Sequence, residues 1–390
     1  MPRNKKKILV FIDWYLPGFK AGGPIKSCSG MVQRLSSYFD FNIVTGNTDL
    51  NETVPYENIK SDDWNTISGG TRVYYCSSYS KNRKTITSLI HSENPDVIYL
   101  NSMFSPWFTL IPLLSVRKAD KKIRVVVAPR GMLSPGALAL KPLKKKIFLA
   151  ASKALGLFKN VTFHASTEIE VAEIKKAFGS KANVHHAINL PPLTELKRTS
   201  RIKKENHMKM AYVGRVSEVK NLLQCLQVLQ KFRDENAKIE FDIYGPGDEP
   251  AYLESCKQVA AQLPENIKVT FKGPIENKEI GGILSACHFF FLLTMNENFG
   301  HAIVEAFTSG CPVIISNRTP WKNLSSLKAG WDLPLEDEEA ILKALERACR
   351  MSQAEYDEWS EAAYVYADNI HNNKETLNNN IRLFDTGYAG

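Results

Sequence analysis

Two carboxylates in the last third of the chain, Glu297 and Glu305, stand with seven residues between them, flanking Asn298-Phe299-Gly300-His301. Glu297 falls in a short polar stretch, Asn296-Glu297-Asn298. Glu305 falls in the run HAIVEAFTS, where its neighbours Ala302, Ile303, Val304, Ala306 and Phe307 are all apolar. A carboxylate inside so apolar a helix is costly unless it accepts strong hydrogen bonds, and sugar hydroxyls are donors of the right kind. The same residue also fits the single wet stripe of an otherwise buried helix, and residue types alone leave both readings standing. Gly300 and His301 open this helix, where unpaired backbone N–H groups and the helix dipole favour an anion such as phosphate.

The elements that must hold these groups follow from the flanks. Phe289 to Leu293 is a continuous apolar run, too short for an ordinary helix, and reads as a buried parallel strand. The helix predicted over His301 to Ser309 is stopped by Gly310 and Pro312, and Val313 to Ile315 resumes as a strand. The polar loop therefore lies at the carboxyl end of its strand, where open parallel sheets bind ligands.

The stretch NFG…EAFTSGCPVI, with its Glu-x7-Glu pair, resembles the donor-site signature of family 4 glycosyltransferases, retaining enzymes of the GT-B fold that include bacterial polysaccharide and lipopolysaccharide types. The resemblance implies two Rossmann-like, doubly wound parallel-sheet α/β domains facing a cleft. It implies that Glu297 faces the transferred sugar, that Glu305 binds the ribose hydroxyls, and that Asn298, Phe299, Gly300 and His301 line the nucleotide-sugar site. GRVSEVKN resembles the family's G-R-x4-K segment, so Gly214, Arg215 and Lys220 are expected at the donor diphosphate. The chemistry suits them: a departing nucleoside diphosphate builds negative charge, which two cations stabilise. Arg215, Lys220 and Glu297 are thus the expected catalytic residues. Ile275, in the turn after a predicted strand over Ile267 to Lys272, is expected at the nucleotide base.

In the first half, Ile8 to Ile12 reads as a strand and Gly22-Gly23 as the turn into a helix through Arg34. Such a turn lets phosphates approach the backbone, although glycine turns are often only turns; the resemblance places Gly22 and Gly23 at the donor diphosphate. Strands recur at Phe41 to Thr45, Arg72 to Cys76, Val97 to Leu100, Arg124 to Ala128 and Val161 to His164, with helical patterns between most of them, which makes a parallel sheet. Arg130 stands where many relatives carry histidine. On the acceptor side it suits either an acceptor phosphate or pairing with a local carboxylate. His164 is read as structural, and adjacent His185 and His186 lack the spacing of a metal site. The second half adds strands over Met210 to Gly214 and Ile239 to Tyr244, the turn Gly245 to Asp248, and charged helices from Asp337 with Trp359, Tyr364 and Tyr366 as anchors. The expected domains are 1–192 on the acceptor side, a linker 193–208, a donor domain 209–370, and a C-terminal helix 371–390 crossing back.

Length and composition bound the rest. With 390 residues, of which 44% are hydrophobic, the chain is long enough for two ordinary cores. Its net charge of +9 asks for an anionic partner. Seven scattered cysteines argue against a disulfide framework or zinc, and point to a reducing cytoplasm. The N-terminal apolar run is read as a strand and not a signal-peptide core, and no stretch reaches the length of a membrane span. Lys141 to Lys159 is a basic, amphipathic helix carrying Ile147, Phe148, Ala151, Leu155 and Phe158. It fits an anionic bilayer on the inner face of the membrane, or an ordinary helix packed on the sheet.

The reading is a transferase that moves a sugar from a nucleotide-sugar donor to a glycan or lipid-linked acceptor in cell-surface polysaccharide synthesis. No DxD pair is present, and no metal or other cofactor is expected. A nucleotide-sugar epimerase of the same fold is the alternative. Nucleic-acid binding lacks any recognisable motif.

Overall fold

The computed structural model describes residues 5–117, 122–139, 142–194, 198–247 and 249–387. Lys141 and Asp248, named above, lie outside the described residues, as do 195–197 of the expected linker. The chain divides into two units, Met1–Leu193 with Asn373–Gly390, and Thr194–Asn372.

The first unit contains strands β1 (Lys6–Phe11), β2 (Phe39–Gly46), β3 (Trp64–Thr66), β4 (Arg72–Cys76), β5 (Val97–Leu100), β6 (Arg124–Val127), β7 (Val161–Ala165) and β8 (Val184–His186). Their order in one sheet is β3-β4-β2-β1-β5-β6-β7-β8, parallel except for the β3–β4 pair. Helices α1 (Gly23–Leu35), α2 (Arg83–Glu93), α3 (Ile111–Val116), α4 (Pro135–Ala139), α5 (Pro142–Ala154) and α6 (Glu168–Phe178) make the crossovers. Alternate residues of β1 enter different cores: Ile8 and Val10 join one face of the sheet, Leu9 and Phe11 the other. This two-sided burial explains why such strands read as unbroken apolar runs.

The second unit repeats the plan with β9 (His207–Val213), β10 (Lys238–Tyr244), β11 (Ile267–Gly273), β12 (Phe289–Leu292), β13 (Val313–Ser316) and β14 (Gly330–Leu333), ordered β11-β10-β9-β12-β13-β14 and parallel throughout. Its helices are α7 (Leu222–Lys231), α8 (Pro250–Ala260), α9 (Ile280–Ala286), α10 (His301–Thr308), α11 (Glu338–Arg350) and α12 (Gln353–His371). The last helix, α13 (Lys374–Phe384), belongs to the first unit, where Phe384 packs edge-on against Phe39 and Phe41. Strand β9 starts at His207, so the last two residues of the expected linker are already in the sheet.

Several local expectations change. Lys220 ends a 3-10 turn (Glu218–Lys220), and α7 starts only at Leu222, because Asn221 takes a left-handed conformation. Trp359 is buried, but Tyr364 and Tyr366 are only half-buried. The basic helix stops at Ala154, short of the expected Lys159, so Leu155 and Phe158 lie in the turns after it. Phe148 and Phe158 turn inward among Phe104, Phe163 and Phe178, whereas Leu143, Ile147 and Leu155 are exposed at 60–72%. His186 pairs with Glu168 at 2.8 Å and His185 bonds the Asn379 carbonyl, so each histidine is engaged separately. All seven cysteines are free and buried. Among the described residues no helix is long and apolar enough to cross a membrane.

Candidate active site

Because β9 to β14 are all parallel, every strand–helix loop in the second unit emerges at one edge of the sheet. The loop after β9 carries Gly214, Arg215 and Lys220; the loop after β12, next to it in the sheet, carries Glu297 to His301. Three hydrogen bonds staple these loops together. The Met295 N–H and the Thr294 hydroxyl both donate to the Val219 carbonyl, at 2.8 and 3.0 Å, and the Asn221 amide donates to the Leu293 carbonyl at 2.9 Å. The left-handed turn at Asn221 thus faces its side chain to β12, a role its residue type alone did not announce.

This stapling brings Lys220 and Glu297, 77 positions apart in the chain, into a direct ion pair. The lysine side chain is 25% exposed and the glutamate 11%, so the pair is largely shielded from water and little screened. Separate stations were expected for them, the lysine on the diphosphate and the glutamate on the sugar; here each is the other's partner. Glu297 is fixed further by its backbone N–H, which donates to the Arg318 carbonyl at 3.0 Å. Arg215 differs. Its side chain is exposed and makes no hydrogen bond or ion pair among the described residues. Its carbonyl accepts from the Tyr212 hydroxyl at 2.8 Å, which holds the backbone while leaving the cation available.

The loop into α10 is rigid for identifiable reasons. The Trp321 indole N–H donates to the Phe299 carbonyl at 2.6 Å and its ring meets Phe299 edge-on, while the His301 ring packs on the other side of Phe299. Phe299 and His301 are therefore buried. Gly300 has φ 75° and ψ 64°, and a Cβ there would lie 2.8 Å from Ile303, so only glycine fits. Glu305 lies one turn into α10 and is half-buried, between the two readings given above. The Asn298 amide nitrogen is buried without a partner among the described residues. Ile275 follows the left-handed Gly273 and packs partly against the core at the carboxyl end of β11. Gly245, not singled out from the sequence, is required here: a Cβ on it would sit 1.9 Å from the Gly214 carbonyl, so the ends of β9 and β10 meet only because Gly245 carries no side chain. The contacts of Trp321 and Gly245 are long-range, and no local pattern in the sequence marks them.

In the first unit, Gly22 caps α1 with φ 66°, and neither it nor Gly23 has any atom within 4 Å of a would-be Cβ. The α1 N-terminus is open there. Arg130, at the end of β6, has a left-handed backbone (φ 56°) and is half-buried. It donates to the Asn101 side-chain oxygen at 2.6 Å, to the Tyr99 hydroxyl at 2.7 Å and to the Asn189 side-chain oxygen. The alternative of a local carboxylate partner is thereby corrected: among the described residues its partners are two amides and a phenol. His164, read as structural, receives the Tyr99 hydroxyl at 2.8 Å and bonds the Ala187 carbonyl at 2.8 Å. Burial, reinforced by the Arg130 charge, pushes its pKa down to about 3.

Two open parallel α/β sheets, each with its loops gathered at the carboxyl edge, are the GT-B fold. Residues 194–366, nearly the whole second unit, match the family model described as glycosyl transferases group 1. Anabaena HepE, solved with UDP and glucose, superposes with a TM-score of 0.66 at 14% identity, covering 98% of this chain and 99% of that one. WaaG, a glycosyltransferase involved in lipopolysaccharide biosynthesis, gives 0.64 at 14% identity over 98% and 100%. In sequence, a 2-deoxystreptamine N-acetyl-D-glucosaminyltransferase of Niallia circulans is 26% identical over 148 residues, 38% of this chain and 36% of the relative. The matched stretch spans about a third of the length of the curated relatives.

Proposed function

We propose that the protein is a retaining glycosyltransferase that moves a sugar from a nucleotide-sugar donor to a glycan or lipid-linked acceptor, in the synthesis of a cell-surface polysaccharide. The Lys220–Glu297 pair beside the unpartnered Arg215 carries this reading. It sets two cations and one carboxylate at the edge of β9 and β12, with the amino end of α10 in the same loop. Arg215 and Lys220 bind the diphosphate and stabilise the charge that develops as it leaves. Lys220 transfers its contact from Glu297 to phosphate, which frees the carboxylate to face the sugar, where positive charge develops. Glu305 binds the ribose. The departing phosphate oxygen takes the acceptor proton on the same face, so no separate base is required. Two side-chain cations meet the electrostatic demand, and turnover should persist in a chelator.

The reading is supported by the group 1 match across 194–366, and by UDP-sugar and lipopolysaccharide enzymes among the proteins that share the fold. We place the enzyme on the cytoplasmic face of the membrane, held there by α5. Exposed Leu143 and Ile147 lie one turn apart on it, exposed Leu155 follows just after its end, and exposed Lys144, Lys146 and Lys153 flank them, a pattern that suits an anionic bilayer surface.

Arg215→Ala is the sharpest test, because the side chain supports nothing in the fold. Turnover with a nucleotide sugar and acceptor should fall by about a hundredfold with the thermal midpoint unchanged. Donors are found by thermal shift, where a nucleotide sugar at 100 times its dissociation constant adds about 2.7 kcal/mol. Stabilisation by no nucleotide sugar, or full activity in Arg215→Ala, would remove the proposal. Conversion of the donor without any acceptor would favour an epimerase instead.

A further inference from the structure

Arg130 is held with unusual completeness for a residue that neutralises no neighbour. The Ala187 carbonyl can only accept, so the His164 Nε2 carries the ring proton and Nδ1 is an acceptor. The Tyr99 hydroxyl must then donate to Nδ1, which leaves its oxygen to accept from Arg130. Burial keeps the histidine uncharged, and the direction of the whole chain is fixed. Two amide oxygens, of Asn101 and Asn189, orient the guanidinium from other sides. The Asn101 amide donates in turn to the Pro24 carbonyl in the first turn of α1, at 3.5 Å.

Three of the five guanidinium N–H groups are thus committed to neutral oxygens, and among the described residues no carboxylate contacts it. Carboxylates on the same sheet edge are engaged elsewhere. Glu170 accepts from the Gly131 and Ser166 N–H groups and the Ser166 hydroxyl, and Asp13 accepts from the Ser105 hydroxyl. A left-handed backbone at an arginine is a strained conformation that persists only where the surroundings impose it. Half-burial of an oriented cation at the carboxyl edge of a parallel sheet is the arrangement that receives an oxyanion.

We propose that Arg130 is an anion seat in the first unit, binding a phosphoryl or carboxylate group of the acceptor, so that the acceptor is an anionic sugar or a phosphate-linked one. This rests on the transferase reading only for the word acceptor; the anion seat itself is independent of it.

The test uses the full chain carrying Arg215→Ala and Lys220→Gln, which silences the second cationic cluster. Inorganic phosphate and, separately, acetate are titrated by calorimetry at constant ionic strength. Saturable binding is expected with a dissociation constant on the order of 1 mM. Adding Arg130→Gln should weaken it by about tenfold, the size of one charge-assisted contact, and Arg130→Lys, which keeps charge but loses the fork, by less. Should Arg130→Gln fail to fold, Asn189→Ala removes one anchor and should weaken binding about threefold. A phosphate preference assigns a phosphate-linked acceptor, and equal acetate binding an acidic sugar. Phosphate affinity that ignores Arg130, or binding of neither anion, overturns the proposal. If Arg130 governs anion binding while the unmutated chain binds no nucleotide sugar, the transferase reading fails and the seat stands.

Discussion

Replacing Arg201 by methionine should destabilise the second unit by about 3–4 kcal/mol. Arg201 is 6% exposed and has no carboxylate partner among the described residues. Its guanidinium donates instead to carbonyls at the carboxyl ends of two helices: Leu284 of α9 at 3.0 Å, and Ser309 and Gly310 after α10 at 2.5 and 2.9 Å. A fourth bond goes to the exposed Thr199 carbonyl, which water can satisfy. In the variant, Gly310 keeps the Ser360 hydroxyl at 2.7 Å, and Leu284 keeps only a long 3.4 Å contact from the Cys287 N–H. Ser309 and, for the most part, Leu284 are orphaned, at about 1–3 kcal/mol each. Loss of a cation from two helix carboxyl ends adds about 0.3–1 kcal/mol apiece. Relief from burying the charge offsets part of the sum. Urea unfolding followed by tryptophan fluorescence reads the effect through Trp321, Trp331 and Trp359. With a slope of about 2–3 kcal/mol/M, the midpoint should drop by about 1–2 M. The control is Arg198→Met, which loses a half-exposed pair with Glu361 and should stay within about 0.5 kcal/mol of the parent. If Arg201→Met unfolds at the same midpoint as the parent, the two helix ends do not depend on this cation, and the reasoning about α10 is wrong.

Glu305→Gln should loosen free nucleoside diphosphate by about tenfold and raise the donor KM, whereas Glu297→Gln should chiefly lower kcat and leave diphosphate affinity nearly constant; the opposite order would exchange their roles. Acidification should destabilise the second unit between pH 6.5 and 4; in the first unit, protonation of Glu173, whose carboxyl burial raises to about 7, offsets the loss at His164. His164 and His288 are buried, with pKa values pushed down to about 3 and about 4, so below pH 6.5 the unfolded chain takes up protons that the folded chain refuses. Each contributes about 2 kcal/mol of loss by pH 5; a second-unit unfolding midpoint flat over pH 7–5, or no shallower slope in His288→Gln, would contradict this. Replacing Lys144, Lys146 and Lys153 by alanine should weaken co-sedimentation with anionic vesicles by about 1 kcal/mol per lysine. Lys145 is left in place, since it donates to the Ala137 carbonyl at 2.6 Å and lies over the Phe104 ring; undiminished sedimentation would make α5 an ordinary solvated helix.

The sheet frame was legible because buried strands such as Ile8 to Phe11 and Phe289 to Leu292 are continuous apolar runs, a local signal. β3 and β8 were not, since three residues at a sheet edge carry no pattern, and β14 begins with Gly330 and Trp331 in place of a branched run. Site residues were legible as types and loops, not as partners. That Lys220 meets Glu297, or that Arg130 meets Asn101, Tyr99 and Asn189, depends on strand order, which no window of sequence contains. The two faces of α5 show the same limit: Ile147 and Phe148 are both apolar, and only the neighbouring Phe104 and Phe158 decide which one turns inward.

The burial of the cysteines makes the protein a silent background for thiol chemistry. All seven thiols lie in apolar surroundings that push their pKa values up to about 11 or 12, so the reactive thiolate is scarce and out of reach at neutral pH. A single cysteine introduced at the exposed Ile147 would then be the sole site that maleimide modifies in the native chain. A polarity-sensitive dye placed there would report lipid contact from the outer stripe of α5, with every native cysteine left as it is.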